Sequence, residues 1–361
     1  MDINKLFCFI LAGGKGTRLE SLTNEESKAM VKVNSSFPLI DFTLFNCTVA
    51  EIKNLGVVIQ YAPESLLEYL IDWRNFINQN IKILPPKSNL EYEDVKIYDT
   101  AQSVLINKDI VEKSECEDIL ITHCDHVYFT DYKKIYEEHI ESGADLTIGV
   151  FEVPIEEANR FGVFDVDEKG NVIGFEEKPE NPTSNLVSTG IYIYKKEILF
   201  DIFDKFKDTK KDISFSKDIV PYFVNNLKVK TIKFNNYWKD IGTIESYWEL
   251  NMFALDNKKD FYEFLGYKNT PLLNKKVPLQ PSIINSNIKT SFIGFGNKID
   301  GEVKHSVLGN NIIVENGANI INSVISDSCT VKKGVKIINS VISKNTTIEE
   351  DFGNEDSISS I

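Results

Sequence analysis

The sequence predicts an α/β fold with a doubly wound sheet over residues 1–255. A parallel β-helix follows over 281–361, and 256–280 form a connector. Three observations predict this. Apolar runs alternate with helical patterns in the first part, a tripeptide recurs every 17 residues in the last, and a polar Lys/Asn-containing stretch separates them.

Phe7-Cys8-Phe9-Ile10-Leu11 and Ile119-Leu120-Ile121 are continuous apolar runs, as expected of parallel strands covered on both faces. Leu66, Leu67, Leu70 and Ile71 fall on one helical face, as do Tyr132, Ile135, Tyr136, His139 and Ile140. Gly143 stands where a left-handed cap would close the second of these helices. Strand–helix alternation of this kind implies a doubly wound sheet.

Beyond the connector, Ser306-Val307-Leu308, Ser323-Val324-Ile325 and Ser340-Val341-Ile342 are each 17 residues apart. Ile321–Ser326 also repeats as Ile338–Ser343, with Asn322 answering Asn339. Aliphatic residues recur every six, at Leu308, Val314 and Ile320 and again at Ile325, Val331 and Ile337. Three faces of about six residues, with one corner a residue short, make one coil of a three-sided β-helix. A β-sandwich with regular strand spacing is the alternative; two aliphatic registers locked to one repeated tripeptide favour the coil. The last segment carries an acidic tail.

Composition limits the function classes. The chain has 361 residues, enough for two cores. No apolar run approaches the roughly 18 residues of a spanning helix. The stretch Leu6 to Ala12 follows Lys5 but leads to no small-residue cleavage pattern, so it reads as a strand. Five cysteines, Cys8, Cys47, Cys116, Cys124 and Cys329, show no C-x-x-C spacing. They fit a reducing cytoplasm rather than a disulfide framework. With 40 basic and 54 acidic residues the net charge is −14, which argues against a nucleic-acid surface. The excess lies in the first 255 residues, because those from Asp256 on hold 12 basic and 12 acidic residues. Met1 to Ile40 nevertheless has five basic residues against four acidic ones.

The sharpest motif is Leu11-Ala12-Gly13-Gly14-Lys15-Gly16-Thr17-Arg18-Leu19. Glycines directly after a buried strand let the backbone approach a ligand and present N–H groups to phosphate oxygens. Lys15 and Arg18 add positive charge at the same mouth. The spacing fits neither the P-loop nor the dinucleotide loop. Asp125 closes the strand that holds Ile119–Thr122, at the carboxyl end where doubly wound sheets bind ligands. Asp240 sits on a Gly-flanked turn after Trp238.

At this point the sequence resembles the nucleotidyltransferases that make nucleotide sugars, and the glucose-1-phosphate adenylyltransferase family in particular. The glycine loop is followed by Leu22-Thr23 and Lys28. Ile40-Asp41-Phe42-Thr43-Leu44-Phe45-Asn46-Cys47, Gln60-Tyr61, Cys124-Asp125-His126-Val127-Tyr128 and Arg160-Phe161-Gly162-Val163 come next in the family's order. Phe175-Glu176-Glu177-Lys178-Pro179, Ser188-Thr189-Gly190-Ile191-Tyr192 and the run Tyr237 to Trp248 complete the series. The family also ends in a left-handed β-helix.

The resemblance implies that ATP and glucose-1-phosphate are converted to ADP-glucose and pyrophosphate, feeding glycogen-type synthesis; the acidic balance and the lack of a long apolar run predict no nucleic-acid or membrane partner. It implies catalytic roles for Arg18, Lys28 and Asp125. Asp125 and Asp240 would form a hard-oxygen site for Mg²⁺. Leu11, Ala12, Gly13, Gly14, Lys15, Gly16, Thr17, Gln60, Thr100 and Ala101 would bind the nucleotide, with Gln60 at a base edge. Gly162, Glu177, Lys178, Ser188 and Gly190 would bind the sugar phosphate. The attacking phosphate oxygen is already ionised, so no general base is needed and His126 reads as structural.

Several positions depart from the family pattern. Glu26-Ser27-Lys28-Ala29-Met30-Val31 replaces a more basic segment, and Pro38-Leu39 replaces an Arg. In Lys96-Ile97-Tyr98-Asp99-Thr100-Ala101-Gln102-Ser103, Asp99 stands where a Gly is usual. A carboxylate there adds like-charge repulsion towards a triphosphate. Asn34, Ser35 and Ser36 lie near positions where the family often has basic residues for a phosphorylated activator, which predicts weak or no activation by sugar bisphosphates. The alternative reading is a regulatory subunit of a hetero-oligomeric enzyme; retention of the glycine loop and both aspartates favours activity. A guanylyl- or uridylyltransferase is disfavoured by the blocks at 40–47 and 237–248. An acyltransferase is disfavoured because only His305 lies in the coil, ahead of the repeats. The exposed edges of a β-helix predict a homo-oligomer or a hetero-oligomer with a related subunit.

Overall fold

The computed structural model describes residues 2–24, 26–61, 63–76, 79–84, 98–206, 208, 212–235, 237–258, 261 and 281–361. Lys96, Ile97 and most of the connector expected at 256–280 lie outside the described residues. The chain forms two compact units, Met1–Gly14 with Phe42–Trp238, and Lys15–Asp41 with Lys239–Ile361.

In the first unit, nine described strands build one mixed sheet: β1 (Leu6–Ala12), β2 (Asn54–Ile59), β3 (Asn80–Leu84), β4 (Asp118–His123), β5 (Leu146–Glu152), β6 (Gly162–Val166), β7 (Val172–Glu177), β8 (Leu186–Lys195) and β9 (Val229–Lys233). The order is β7-β6-β8-β4-β1-β2-β3, with β5 on β8 and β9 on β5. The expected parallel centre is present. Phe9 of β1 lies opposite Gly56 of β2 on one side and Ile121 of β4 on the other. The sequence does not announce β8, which runs antiparallel to both β4 and β5. Its register to β5 breaks between Ser188 and Tyr192, where Gly190 adopts φ +75°, a left-handed kink that glycine tolerates without steric cost.

Flanking helices include α1 (Pro63–Phe76), α2 (Thr100–Leu105), α3 (Tyr132–Ser142) and α4 (Val220–Asn226). In α3 the Asp131 carboxylate accepts from the N–H groups of Lys133 and Lys134, and Gly143 closes the helix at φ +59°. Tyr132, Ile135, Tyr136 and His139 are buried as the pattern predicts, whereas Ile140 is exposed. In α1 Leu66 and Leu70 are buried and Ile71 is exposed. Each apolar stripe is therefore narrower than the sequence suggests. Phe7, Phe9, Ile121, Tyr194, Phe203, Phe215 and Phe223 share one buried cluster, and each side chain of this size contributes about 1.5–3 kcal/mol by leaving water.

The second unit contains the coil. Three parallel sheets stack Ile299, Val314, Val331 and Ile348 on one side, Val303, Ile320 and Ile337 on the second, and Leu308, Ile325 and Ile342 on the third. These include the six-spaced aliphatics, and all are buried together. Ile299 and Val314 are stacked neighbours 15 residues apart, whereas Val314 and Val331 are 17 apart. The wider corners of the later coils hold Gly317 and Gly334 at φ +78° and +76°.

The shortened corner is held by side chains. His305, Asn322 and Asn339 occupy it at φ +47°, +50° and +45°. Asn322 Nδ2 donates to Asn339 Oδ1 at 2.6 Å and Asn339 Nδ2 to the Asn354 carbonyl at 2.9 Å. His305 bridges Asn322 Oδ1 and Asp256 Oδ1, each at 2.8 Å. Beside this ladder the recurrent serine forms another: Ser323 N–H donates to Ser306 Oγ and Ser340 N–H to Ser323 Oγ, both at 3.1 Å. The repeated Ser-aliphatic-aliphatic tripeptide is thus a buried polar corner followed by core.

Residues 15–41 and the helix α5 (Ile244–Asp256) pack with the coil in this unit. Lys32 pairs with Asp327 at 2.9 Å, and Tyr247 Oη donates to the Lys32 carbonyl at 2.7 Å. Trp248 Nε1 donates to the Asn322 carbonyl at 2.8 Å. Among the described residues no helix is long and apolar enough to cross a membrane.

Candidate active site

The glycine loop leaves β1 at its carboxyl end. A Cβ on Gly13 would lie 2.6 Å from Gln60 Nε2 and 2.9 Å from Gln60 Cγ, so Gly13 is required by a neighbouring side chain. A Cβ on Gly14 would meet nothing within 4 Å, which leaves that backbone open to a ligand.

Gln60 is held by Tyr98. Its Oε1 accepts from Tyr98 N–H at 2.6 Å and its Nε2 donates to the Tyr98 carbonyl at 3.1 Å. The sequence places Gln60 at a base edge; the structure uses its amide to fix the backbone that leads into α2. Asp99 is the N-cap of α2, its Oδ1 accepting from Thr100 N–H at 2.6 Å and from the Thr100 hydroxyl at 3.2 Å. One carboxylate oxygen at the departure from family pattern is therefore turned onto the helix start. Ala101 is wholly buried in the core cluster, and Leu11 and Ala12 are buried strand residues. These three are core residues with no reactive side chain.

Asp125 follows β4, where Cys124 N–H donates to the Leu11 carbonyl at 3.2 Å and ties the aspartate's strand end to the glycine loop's strand. Its side chain is one-quarter exposed, and His126 Nε2 lies 3.9 Å from its Oδ1. His126 Nδ1 lies 2.8 Å from the Thr189 carbonyl, which can only accept, so Nδ1 carries a proton. The ring stacks on His123 at 5.5 Å and meets the edge of Trp238 at 5.5 Å. These contacts fix the orientation of the His126 ring. A Cβ on Gly190 would lie 2.8 Å from His123 Cδ2 and 3.2 Å from His126 Cε1; the two imidazoles thus require that glycine.

At the end of the first unit's sheet formed by β6 and β7, Glu177 pairs with Gly162, whose added Cβ would stand 3.0 Å from Glu177 Oε2. Lys178 adopts φ +51°, its N–H donating to the Phe161 carbonyl at 2.9 Å. A non-glycine residue in that region costs about 1–3 kcal/mol, and here its side chain is 62% exposed, with the ammonium 3.8 Å from Glu177. Ser188 Oγ accepts from Gly190 N–H at 3.2 Å and shares a hydrogen bond with Tyr192 Oη at 2.8 Å. Burial pushes the Tyr192 phenol up to about 12, so it is neutral at ordinary pH.

The second unit carries the remaining expected residues. Gly16 has φ +66°, with the Thr23 hydroxyl donating to its carbonyl at 2.9 Å. Lys28 is buried, and its stem lies where a Cβ on Gly16 would come within 3.2 Å. Lys15, Thr17 and Arg18 are exposed. A Cβ on Gly242 would stand 3.3 Å from Asp240 Oδ2 and 3.4 Å from an Arg18 guanidinium nitrogen. Arg18 and Asp240, more than two hundred residues apart in sequence, thus flank one glycine. Asn34 is buried, its N–H donating to Asn251 Oδ1 at 2.8 Å, and with Ser35 it forms a left-handed turn between Lys32–Val33 and Phe37–Pro38.

Tyr98, His123, Tyr192 and Phe215 escaped the sequence reading as site-building residues. Tyr192 lies inside a quoted motif, but a straight strand would hold it four residues from Ser188; the Gly190 kink is what joins them. Tyr98 lies in the quoted block 96–103, which says nothing of its backbone's contact with Gln60, and His123 and Phe215 leave no signal that could have found them.

A sheet ending in an open glycine loop beside a carboxylate, followed by a hexapeptide coil, defines a nucleotidyltransferase joined to a β-helix. The nucleotidyl transferase family profile matches residues 8–257, and the GlmU-like C-terminal hexapeptide profile matches residues 279–353. The chain is 37% identical over 327 residues to glucose-1-phosphate adenylyltransferase of Bacillus mycoides (strain KBAB4), covering 88% of this chain and 86% of that one. It is 36% identical over 318 residues to the enzyme of that name from Lachnospira eligens, covering 86% and 74%. Against that of Bacillus anthracis it is 36% identical over 327 residues, covering 88% and 86%. The chain belongs to the glucose-1-phosphate adenylyltransferase family, and its coil is the left-handed β-helix of hexapeptide proteins.

Proposed function

We propose that this chain transfers the adenylyl group of ATP to glucose-1-phosphate, making ADP-glucose in the cytoplasm for glycogen-type synthesis. The observation that carries the reading is the intact loop, with Gly14 open to a ligand and its strand tied to the Asp125 strand end through Cys124 and Leu11. Its extended likeness to proteins of that name supports the choice of substrates.

In this reading a glucose-1-phosphate oxygen attacks the α-phosphorus of ATP. A new P–O bond forms, the α–β bridging P–O bond breaks, and pyrophosphate leaves with the electron pair. Positioning and charge neutralisation supply most of the catalysis. The Gly14 backbone and Lys15 bind phosphate oxygens, while Arg18 and Lys28 neutralise charge on the transferred group. Lys178 holds the sugar phosphate, and Glu177 and Ser188 orient sugar hydroxyls. Asp125 and Asp240 offer carboxylate oxygens, donors suited to a hard divalent cation. We assign that cation as Mg²⁺, which when bound neutralises phosphate charge. His126 holds Asp125's surroundings in place and moves no proton.

No phosphorylated activator is needed for this chemistry. In the second unit a cavity of about 100 Å³ includes Lys32 and Lys344 in its lining, and these already face Asp327 at 2.9 Å and Glu26 at 3.6 Å. The regulatory-subunit alternative finds no support in a lost loop or aspartate. We also propose that the chain assembles, with itself or a related subunit; outward Ile283 and Ile313 on one face of the coil are exposed. The test of function is product analysis after incubating this chain alone with ATP, glucose-1-phosphate and Mg²⁺. ADP-glucose is expected; product only after a related subunit is added would establish the regulatory role instead.

A further inference from the structure

Within the first unit a continuous set of contacts runs from the nucleotide-side backbone to Ser188. We infer that Thr100 is a positioning residue for the sugar half of the site, acting through the backbone of Phe215; this rests on the reading of function above. The Thr100 hydroxyl has one proton and two lone pairs. It donates the proton to Asp99 Oδ1 at 3.2 Å and accepts from Phe215 N–H at 3.1 Å. Two residues on, Gln102 N–H donates to the Ile213 carbonyl at 2.8 Å. The segment 213–215 is thus pinned at two points along the first turn of α2.

The winding of the chain beyond this pin gives it consequence. Phe215–Ile219 is wound as a π-helix that leads into α4, a wide turn that leaves its first N–H groups without intrahelical acceptors. Side chains supply them: Asp218 Oδ2 accepts from Ser214 N–H at 2.9 Å, and Thr100 serves Phe215. The Phe215 ring is buried and stacks on Tyr192 at 6.2 Å and on Tyr194 at 5.7 Å, with interplanar angles of 20° and 28°. Tyr192 in turn shares its hydroxyl with Ser188 Oγ at 2.8 Å. The Thr100 hydroxyl therefore sets the height of Phe215, that ring sets Tyr192, and Tyr192 fixes the rotamer of Ser188. Gln60, Tyr98 and Asp99 lie immediately upstream, so the order of the nucleotide-side backbone is passed to the sugar side.

The experiment compares the full chain with Thr100→Val, which keeps the shape without the hydroxyl, and Thr100→Ser, which keeps the hydroxyl. Two readouts are taken: KM for each substrate with kcat, and hydrogen–deuterium exchange over 186–195 and 213–219 without ligand. Thr100→Val is expected to raise KM for glucose-1-phosphate about five-fold, the scale of one lost hydrogen bond, more than it changes kcat or KM for ATP. It should also speed exchange in both segments, and Thr100→Ser should restore both readouts. A rise in KM for ATP alone, or unchanged exchange in both segments, overturns the inference. If the wild-type chain shows no turnover, the functional reading falls, and the exchange comparison still decides the pin by the same criterion. Should the valine variant fail to fold, Thr100→Ala, which cannot clash, takes its place.

Discussion

The side-chain amide of Gln60 grips the backbone of Tyr98 from both sides, accepting from its N–H at 2.6 Å and donating to its carbonyl at 3.1 Å. That two-point hold needs the space over Gly13, where an added Cβ would stand 2.6 Å from Gln60 Nε2. The first glycine of the loop thus serves a neighbour and the second stays open to ligand.

A double-mutant cycle tests this division. Gly13→Ala should displace Gln60 and weaken ATP binding, and Gln60→Ala should do so by freeing Tyr98. Because both act through one contact, Gly13→Ala in the Gln60→Ala background should cost clearly less than in the wild type, with a coupling of about 0.5–3 kcal/mol. Measured ATP affinities that simply add would show that Gly13 acts through something else.

The shortened corner of the coil makes a stability prediction. Asn322 sits at φ +50° and donates to Asn339. Asn322→Gly keeps the conformation and loses the side-chain hydrogen bonds, worth about 1 kcal/mol each. Asn322→Ala loses them and adds about 1–2 kcal/mol for a left-handed alanine. Thermal unfolding should rank Asn above Gly above Ala; alanine as stable as glycine would contradict the corner account.

Buried phenols contribute to alkaline stability. Burial raises the Tyr128, Tyr132, Tyr136, Tyr192 and Tyr194 hydroxyls, Tyr192 to about 12. In each case the fold favours the protonated form. The stabilisation is complete below the unfolded value of about 10 and is lost as pH rises through the folded one. The chain should therefore unfold cooperatively above about pH 10, with these tyrosines ionising in step with unfolding. Tyrosinate absorbance that develops fully near pH 10 while circular dichroism is unchanged would refute this.

Regulation gives a fourth test. Lys32 and Lys344 face Asp327 and Glu26, and Asn34 is buried. Fructose-1,6-bisphosphate should leave the rate nearly unchanged, and a several-fold increase in ADP-glucose formation would contradict that.

Much of this architecture was legible in the sequence because it arises from period. The six-residue aliphatic spacing foretold the stacks through Val314, Ile320 and Ile325, and the apolar runs foretold β1 and β4. Left-handed positions were legible where glycine marks them, as at Gly143, and hidden where Asn322 or Lys178 adopts them. Burial of Ala101 and the approach of Arg18 to Asp240 around Gly242 were beyond reach, because side-chain direction and long-range contact leave no local periodicity. The family motifs single out Ser188 and Gln60 but could not say that Tyr192 and Tyr98 hold them.

The most direct test of the central claim is Mg²⁺-dependent pyrophosphate release from ATP and glucose-1-phosphate by the wild-type chain, Asp125→Asn and Asp240→Asn. The wild type should turn over alone, and each variant should lose on the order of 10²-fold or more, the scale for removing a group that stabilises transition-state charge. Near-wild-type rates in both variants would contradict the account.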